Sequence, residues 1–278
     1  MTTKRLTLSL QLAFTLCVCA FMVVPVIMSA LAGLAVNYFT GLQSGLTLRW
    51  IIEVWNGYGD TIFRSIGIAL ACLGLTLVFG VPVAYVLARR QTRLTRVIEE
   101  MLMLPVAVPG LATALALISV FGSVGEFRTS WTFILVGHVL FTLPFMVRAV
   151  LSVLLALDLR TLEDGAASLG ANALQRFFHI IIPNCRDGIL AGSLMVLTLS
   201  IGEFNLTWLL HTPHTKTLPV GLADAYASMR LEVGSAYTLI FFLMIVPLLL
   251  AMQALARPRK RSFVPDDDDT LNSLPLKP

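Results

Sequence analysis

Apolar residues fall into six long blocks separated by polar stretches: about Leu12 to Val36, Thr61 to Ala88, Met101 to Phe121, Trp131 to Val147, Gly188 to Leu210 and Thr238 to Ala256. A helix rises 1.5 Å per residue, so about 20 apolar residues bridge a hydrocarbon core of roughly 30 Å. Each block therefore predicts a transmembrane helix, and the predicted fold class is all-α, a polytopic membrane protein of about six spans. The first helix and an outer loop take 1–60, five core helices take 61–256, and the polar 257–278 tail is predicted to be disordered. Ala30-Leu31-Ala32 imitates a signal-peptidase site. The apolar run before it exceeds a secretory h-region of about 7–15 residues, which predicts an uncleaved first helix.

The interruptions carry more information than the blocks. Residues 37–60, with Gly41, Gly45, Gly57 and Gly59, read as a polar loop whose Trp50 and Trp55 suit the membrane surface. Pro105, Pro109 and Gly110 predict a kink in the third span. That bend either serves packing or lines a translocation path. Glu203 lies inside the fifth block, where an unpartnered charge costs about 2.5–3.5 kcal/mol, so it is predicted to face protein or water. With Asn205 and Thr207 it forms the set of candidate pathway residues. Its carboxylate could bind a cationic solute group, pair with a partner helix or accept a backbone hydrogen bond.

The polar stretch from Thr161 to Pro183, inside a loop spanning 157–187, reads as two short amphipathic helices broken at Gly170. Glu163 and Asp164 suit the positive end of a helix dipole, and Ala166, Ala167 and Leu169 give a small apolar face. After the glycine, Ala173, Leu174, Phe177, Phe178 and Ile181 recur at helical spacing, and Pro183 is predicted to stop the helix.

Composition agrees with a membrane protein: 57% of the 278 residues are hydrophobic and 13% charged, against about 25% charged in soluble domains. Cys17, Cys19, Cys72 and Cys185 have neither zinc-ligand nor disulfide spacing and are read as packing residues. The net charge of +4 belongs to basic residues beside the spans, which argues for topology and not for nucleic acid. Fifteen of the 20 Lys and Arg fall on one side, including Lys4, Arg5, Arg89, Arg90, Arg93, Arg96 and Arg257. The positive-inside rule then predicts that both termini and the Thr161 to Pro183 loop are cytoplasmic. No Walker loop is present, so the chain is not expected to hydrolyse nucleotide. His138, His179, His211 and His214 lie in segments without a third ligand, and no metal site is predicted.

The Thr161 to Pro183 stretch resembles the cytoplasmic coupling motif of ATP-binding-cassette importer permeases, E-A-A, three residues, G, nine residues, I, one residue, L-P. Asp164, Gly165 and Ala166 take the first three places, Gly170 the fourth, Ile180 the fifth, and Ile182 with Pro183 the last two, while Glu163 keeps a carboxylate one position upstream. Ser200-Ile201-Gly202-Glu203-Phe204 and Thr217-Leu218-Pro219-Val220 resemble permeases for polyamines, ferric iron and 2-aminoethylphosphonate. The resemblance covers most of the chain, from the second span to the sixth. It implies a six-helix permease of the bacterial inner membrane, without a cofactor of its own, acting on a small polar solute such as 2-aminoethylphosphonate. It also implies an ATP-using subunit in two copies, a second permease identical or homologous to this one, a periplasmic solute-binding protein and the surrounding lipid as partners. A secondary transporter driven by an ion gradient is the alternative, against which stand the absence of internal repeats and the single acid within a span. A membrane enzyme would need clustered polar residues that the sequence does not show.

Overall fold

Helices form where the apolar blocks predict them, but several begin, bend or end elsewhere. The structure is a computed structural model that describes residues 2–256, so the predicted disordered tail and its basic cluster lie outside the described residues. In order come α1 (Thr2–Ala32), β1 (Ala35–Asn37), β2 (Gly41–Leu46), α2 (Arg49–Arg89), α3 (Arg93–Ala107), α4 (Gly110–Phe121), α5 (Gly125–Thr129) and α6 (Trp131–Leu155). There follow α7 (Leu159–Ser168), α8 (Ala173–Arg176), a π-helical turn (Phe177–Ile181), α9 (Ile182–Asn184), α10 (Arg186–Gly202), α11 (Asn205–Leu210), α12 (Leu218–Ala227) and α13 (Leu231–Ala256). Among the described residues four helices are long and apolar enough to cross a membrane, or six spans if each of two bent pairs counts as one.

Residues 37–60 are not a shapeless loop. Asn37 accepts the amides of Phe39 and Thr40 through Oδ1 and so closes a β1–β2 hairpin, and the helix of the second span already starts at Arg49. Trp50 donates its indole N–H to the Ala35 carbonyl at 3.0 Å, which ties helix to hairpin. With 41 residues α2 is about 60 Å long, twice the hydrocarbon thickness.

The helices α2, α6 and α10 pack side by side through small residues. A Cβ on Gly80 would lie 2.9 Å from Met146 Cγ, on Gly188 2.7 Å from the Ala149 carbonyl, and on Gly192 2.7 Å from Met146 Sδ. Such close approach is how helices associate where lipid removes the hydrophobic drive. Cys72, Ala84, Phe133, Met146, Val150 and Val196 fill the centre. On the far side α13 joins through Ala69, Leu197, Ile201 and Ile245. Against α13 lies α1, whose close approach requires Gly33, since a Cβ there would come within 2.6 Å of the Ser235 and Ala236 backbone.

The third span is two helices at 102° to each other, not one kinked helix. Pro109 disfavours helical backbone at the residue before it, and Val108 is extended, with φ −87 and ψ 133. The 12 residues of α4 make only about 18 Å, too short to cross alone.

Candidate functional site

Polar groups gather at the two ends of the bundle, and the α7 end carries the segment singled out by sequence. Asp158 caps α7, accepting the Thr161 amide at 3.3 Å and the Thr161 hydroxyl at 2.6 Å, and these bonds hold its carboxyl below the ordinary carboxylate value. The helix ends at Gly170, in the left-handed region at φ +85. The Gly170 amide bonds to the Ala167 carbonyl and the Ala171 amide to that of Ala166, the paired closure of a Schellman motif. Asn172 and Gln175 then form a reciprocal capping box that starts α8. Two helices with a two-point stop and a two-point start make a fixed corner, as the glycine break predicts.

The second helix does not stop at Pro183. It widens into the π turn, in which the Ile182 amide reaches back to Phe177, and runs on through Pro183 to Asn184. Proline supplies no N–H and crowds the carbonyl four residues back, and one extra residue in the turn accommodates both effects. This second helix then meets α10 at 73°.

The predicted motif residues face two ways. Asp164, Gly165, Ala167, Gly170 and Pro183 are exposed, Ile180 is half-buried, and Glu163 and Ala166 are buried. Around the exposed set stand Leu169, 89% exposed, Leu174, 70%, and Phe178, 56%. Glu163 instead turns toward α2, where it pairs with Arg89 and accepts the Tyr85 hydroxyl. A cavity of about 470 Å³ lies beside it, lined by Arg89, Arg90, Leu154, Asp158 and Arg160 among others.

The pathway candidates sit at a break that the sequence reading missed. Instead of one span from Gly188 to Leu210, α10 ends at Gly202, Glu203 is extended with ψ 118, and α11 restarts at Asn205. The half-buried Glu203 accepts the Leu206 amide at 2.5 Å, so its carboxylate caps α11, a backbone bond of the kind foreseen among its three predicted roles. Asn205 is exposed, and Thr207 is fully buried. His138 of α6 explains the burial: its Nδ1 lies 2.8 Å from the Ser200 hydroxyl and its Nε2 2.8 Å from that of Thr207. One imidazole thus fastens both sides of the break. At the far end of α11, Arg128 donates to the Leu210 carbonyl at 2.9 Å, a cation where the helix dipole favours one.

Residues 80–261 match the family described as binding-protein-dependent transport system inner membrane component. The chain belongs to that family. It is thus a transport permease component of an ABC importer, an integral membrane protein of a family that works with an ATPase subunit and a solute-binding protein. The permease is 28% identical over 216 residues to the sulfate transport system permease protein CysW of Synechocystis, covering 71% of this chain and 78% of that one. With PhnV of Salmonella typhimurium, provisionally described as a 2-aminoethylphosphonate transport system permease, identity is 24% over 240 residues, covering 85% and 90%. With the molybdate/tungstate transport system permease protein WtpB of Methanocaldococcus jannaschii it is 24% over 216 residues, covering 75% and 84%. In structure the permease resembles the MetNI methionine ABC transporter in inward-facing conformations, with a TM-score of 0.57 at 14% identity over 71% of this chain and 91% of that one. That likeness is one of fold, the type I permease fold.

Three residues of the permease make contacts that the sequence did not reveal. Tyr85 and Arg89 bond to a carboxylate 78 residues from Tyr85, and His138 reads as an ordinary histidine in an apolar block. A helix-spaced Tyr and Arg at the end of a span is the one local signal that was available.

Proposed function

We propose that this permease admits a small tetrahedral oxyanion, with 2-aminoethylphosphonate as one member of that class, as half of a two-permease, two-ATPase assembly fed by a periplasmic binding protein. The relatives support the class: sulfate, molybdate and phosphonate share a tetrahedral centre with several anionic oxygens, although the proteins named for them differ.

The observation that carries the coupling role is the exposure of Leu169, Leu174 and Phe178 around the capped corner at Gly170. Exposed apolar groups grouped on one polar-rimmed surface mark a protein contact. The positive-inside count puts that surface, and both termini, in the cytoplasm, where ATP is available. ATP binding would close the paired ATPases on Asp164, Gly165, Ala167 and the exposed apolar set, draw the coupling helices together, and rock the spans so that a shared cavity opens to alternate sides.

The test is reconstitution of the permease with its ATPase and binding protein in liposomes, with uptake of labelled sulfate, molybdate, 2-aminoethylphosphonate, spermidine and ferric iron measured. ATP-dependent uptake of one of the oxyanions, with no spermidine uptake, is expected. Uptake of spermidine or ferric iron in place of an oxyanion, or uptake by the chain alone on an ion gradient, would overturn the reading.

A further inference from the structure

One carboxylate of the coupling segment is turned away from the face that docks. The Glu163 side chain is 5% exposed, while Asp164 and Gly165 beside it are open. Its Oε2 lies 2.9 Å from Arg89 Nε, and its Oε1 accepts the Tyr85 hydroxyl. Tyr85 and Arg89 are four residues apart on α2 and therefore share a face, so both reach a single acid. The Tyr85 ring also packs on Phe177 of the π turn, with centroids 5.5 Å apart. One turn of α2 thus holds the helix before Gly170 by charge and the segment after it by an aromatic contact. Two bonds from different atoms fix orientation as well as distance, and a buried carboxylate that lost its cation would be strongly disfavoured.

We propose that Tyr85, Arg89 and Glu163 form a latch that joins α7 and the end of α2 into one rigid body, so that a pull on the exposed face of α7 moves α2 and does not merely bend the loop. The proposal rests on the docking role given above to α7. Glu163 is a positioning residue in it, and Asp164 is the acid presented outward. Because α2 packs along α6 and α10 through the core, movement of its end reaches the centre of the permease.

The experiment uses the permease purified with its ATPase subunits in nanodiscs. The exposed Cys17 and Cys19 are replaced by Ser, and spin labels are placed at Gln91→Cys and Ser168→Cys, two exposed positions at the ends of α2 and α7. In the parent the interspin distance should be narrow and the same with and without ATP and vanadate. In Glu163→Gln and Arg89→Ala it should broaden and become nucleotide-dependent, and in Arg89→Lys it should stay narrow because the charge is kept. The ratio of binding-protein-stimulated to basal ATP hydrolysis should fall about two- to thirtyfold in the two broken variants, the span expected of residues that carry coupling between distant sites. If Glu163→Gln fails to accumulate, Tyr85→Phe removes a single oxygen and should also broaden the distribution.

A distribution unchanged in the broken variants, or already nucleotide-dependent in the parent, overturns the latch. A parent permease that purifies with no ATPase overturns the docking reading instead. The latch is then judged on the isolated chain, where a narrow parent and a broad Glu163→Gln support it and equal widths refute it.

Discussion

Single residues set the corner between α7 and α8. Gly170 sits at φ +85 with no atom within 4 Å of the place a Cβ would take, so any effect of substitution there is conformational and not steric. Gly170→Ala is expected to destabilise the corner by about 1–2 kcal/mol, and Gly170→Asn by less, because the left-handed region penalises a Cβ and Asn tolerates it best. Hydrogen exchange at Ala171 and Asn172 reads this directly, and equal protection in both variants would show that the turn is held by something else. Asp158 supplies a pH-dependent counterpart. Its carboxyl is held below its ordinary value by the Thr161 hydroxyl and amide, so the cap contributes above that ordinary value and is lost as pH falls through the lowered one. Protection of the first turn of α7, corrected for intrinsic exchange, should fall on acidification in the parent and be low and pH-independent in Asp158→Ala.

At the scale of elements, the breaks matter more than the helices. The α3–α4 corner follows from Pro109, but the α10–α11 corner has no proline behind it, and Gly202 is not crowded against a neighbour. Tertiary contacts hold it. Leu206 and Leu210 seat against α6 in a notch left by Gly137, where a Cβ would come within 2.3 Å of Leu206 Cδ2, and His138 ties Ser200 to Thr207. His138→Leu leaves two buried hydroxyls without this partner and is expected to cost about 1–3 kcal/mol. Gly137→Ala forces Leu206 out of its seat for about 1–3 kcal/mol. Both would appear as lowered melting temperatures of the detergent-solubilised permease. Combined they should lose less than the sum, because both loosen the same short helix. Full additivity would mean that the histidine and the notch act on separate structures.

Across the whole molecule, polar clusters mark two opposite ends. At one, Glu163 meets Arg89 and Glu99 lies 3.9 Å from Arg148; at the other, Arg230 pairs with Glu53 and Arg64 donates to the Lys216 carbonyl at 3.2 Å. The charge count predicts that the first end is cytoplasmic. In a background lacking Cys17 and Cys19, Leu169→Cys should react with an impermeant maleimide only in inverted vesicles, and Phe39→Cys, on the hairpin turn, only in right-side-out ones. The reverse pattern would refute the orientation and, with it, access of the coupling segment to ATP.

Hydropathy and local chemistry, both readable one residue at a time, determined the six apolar blocks, the glycine corner at Gly170 and the turn at Pro109. They also singled out the Thr161 to Pro183 stretch, because a polar amphipathic segment between apolar helices is conspicuous in one dimension. The third dimension decided where Glu163 points, where the fifth span breaks, and that His138 holds that break together. Those outcomes depend on partners far away in the chain, such as Tyr85 for Glu163 and His138 for Thr207, and hydropathy averaged along a chain carries no record of which distant side chain will satisfy a buried polar group.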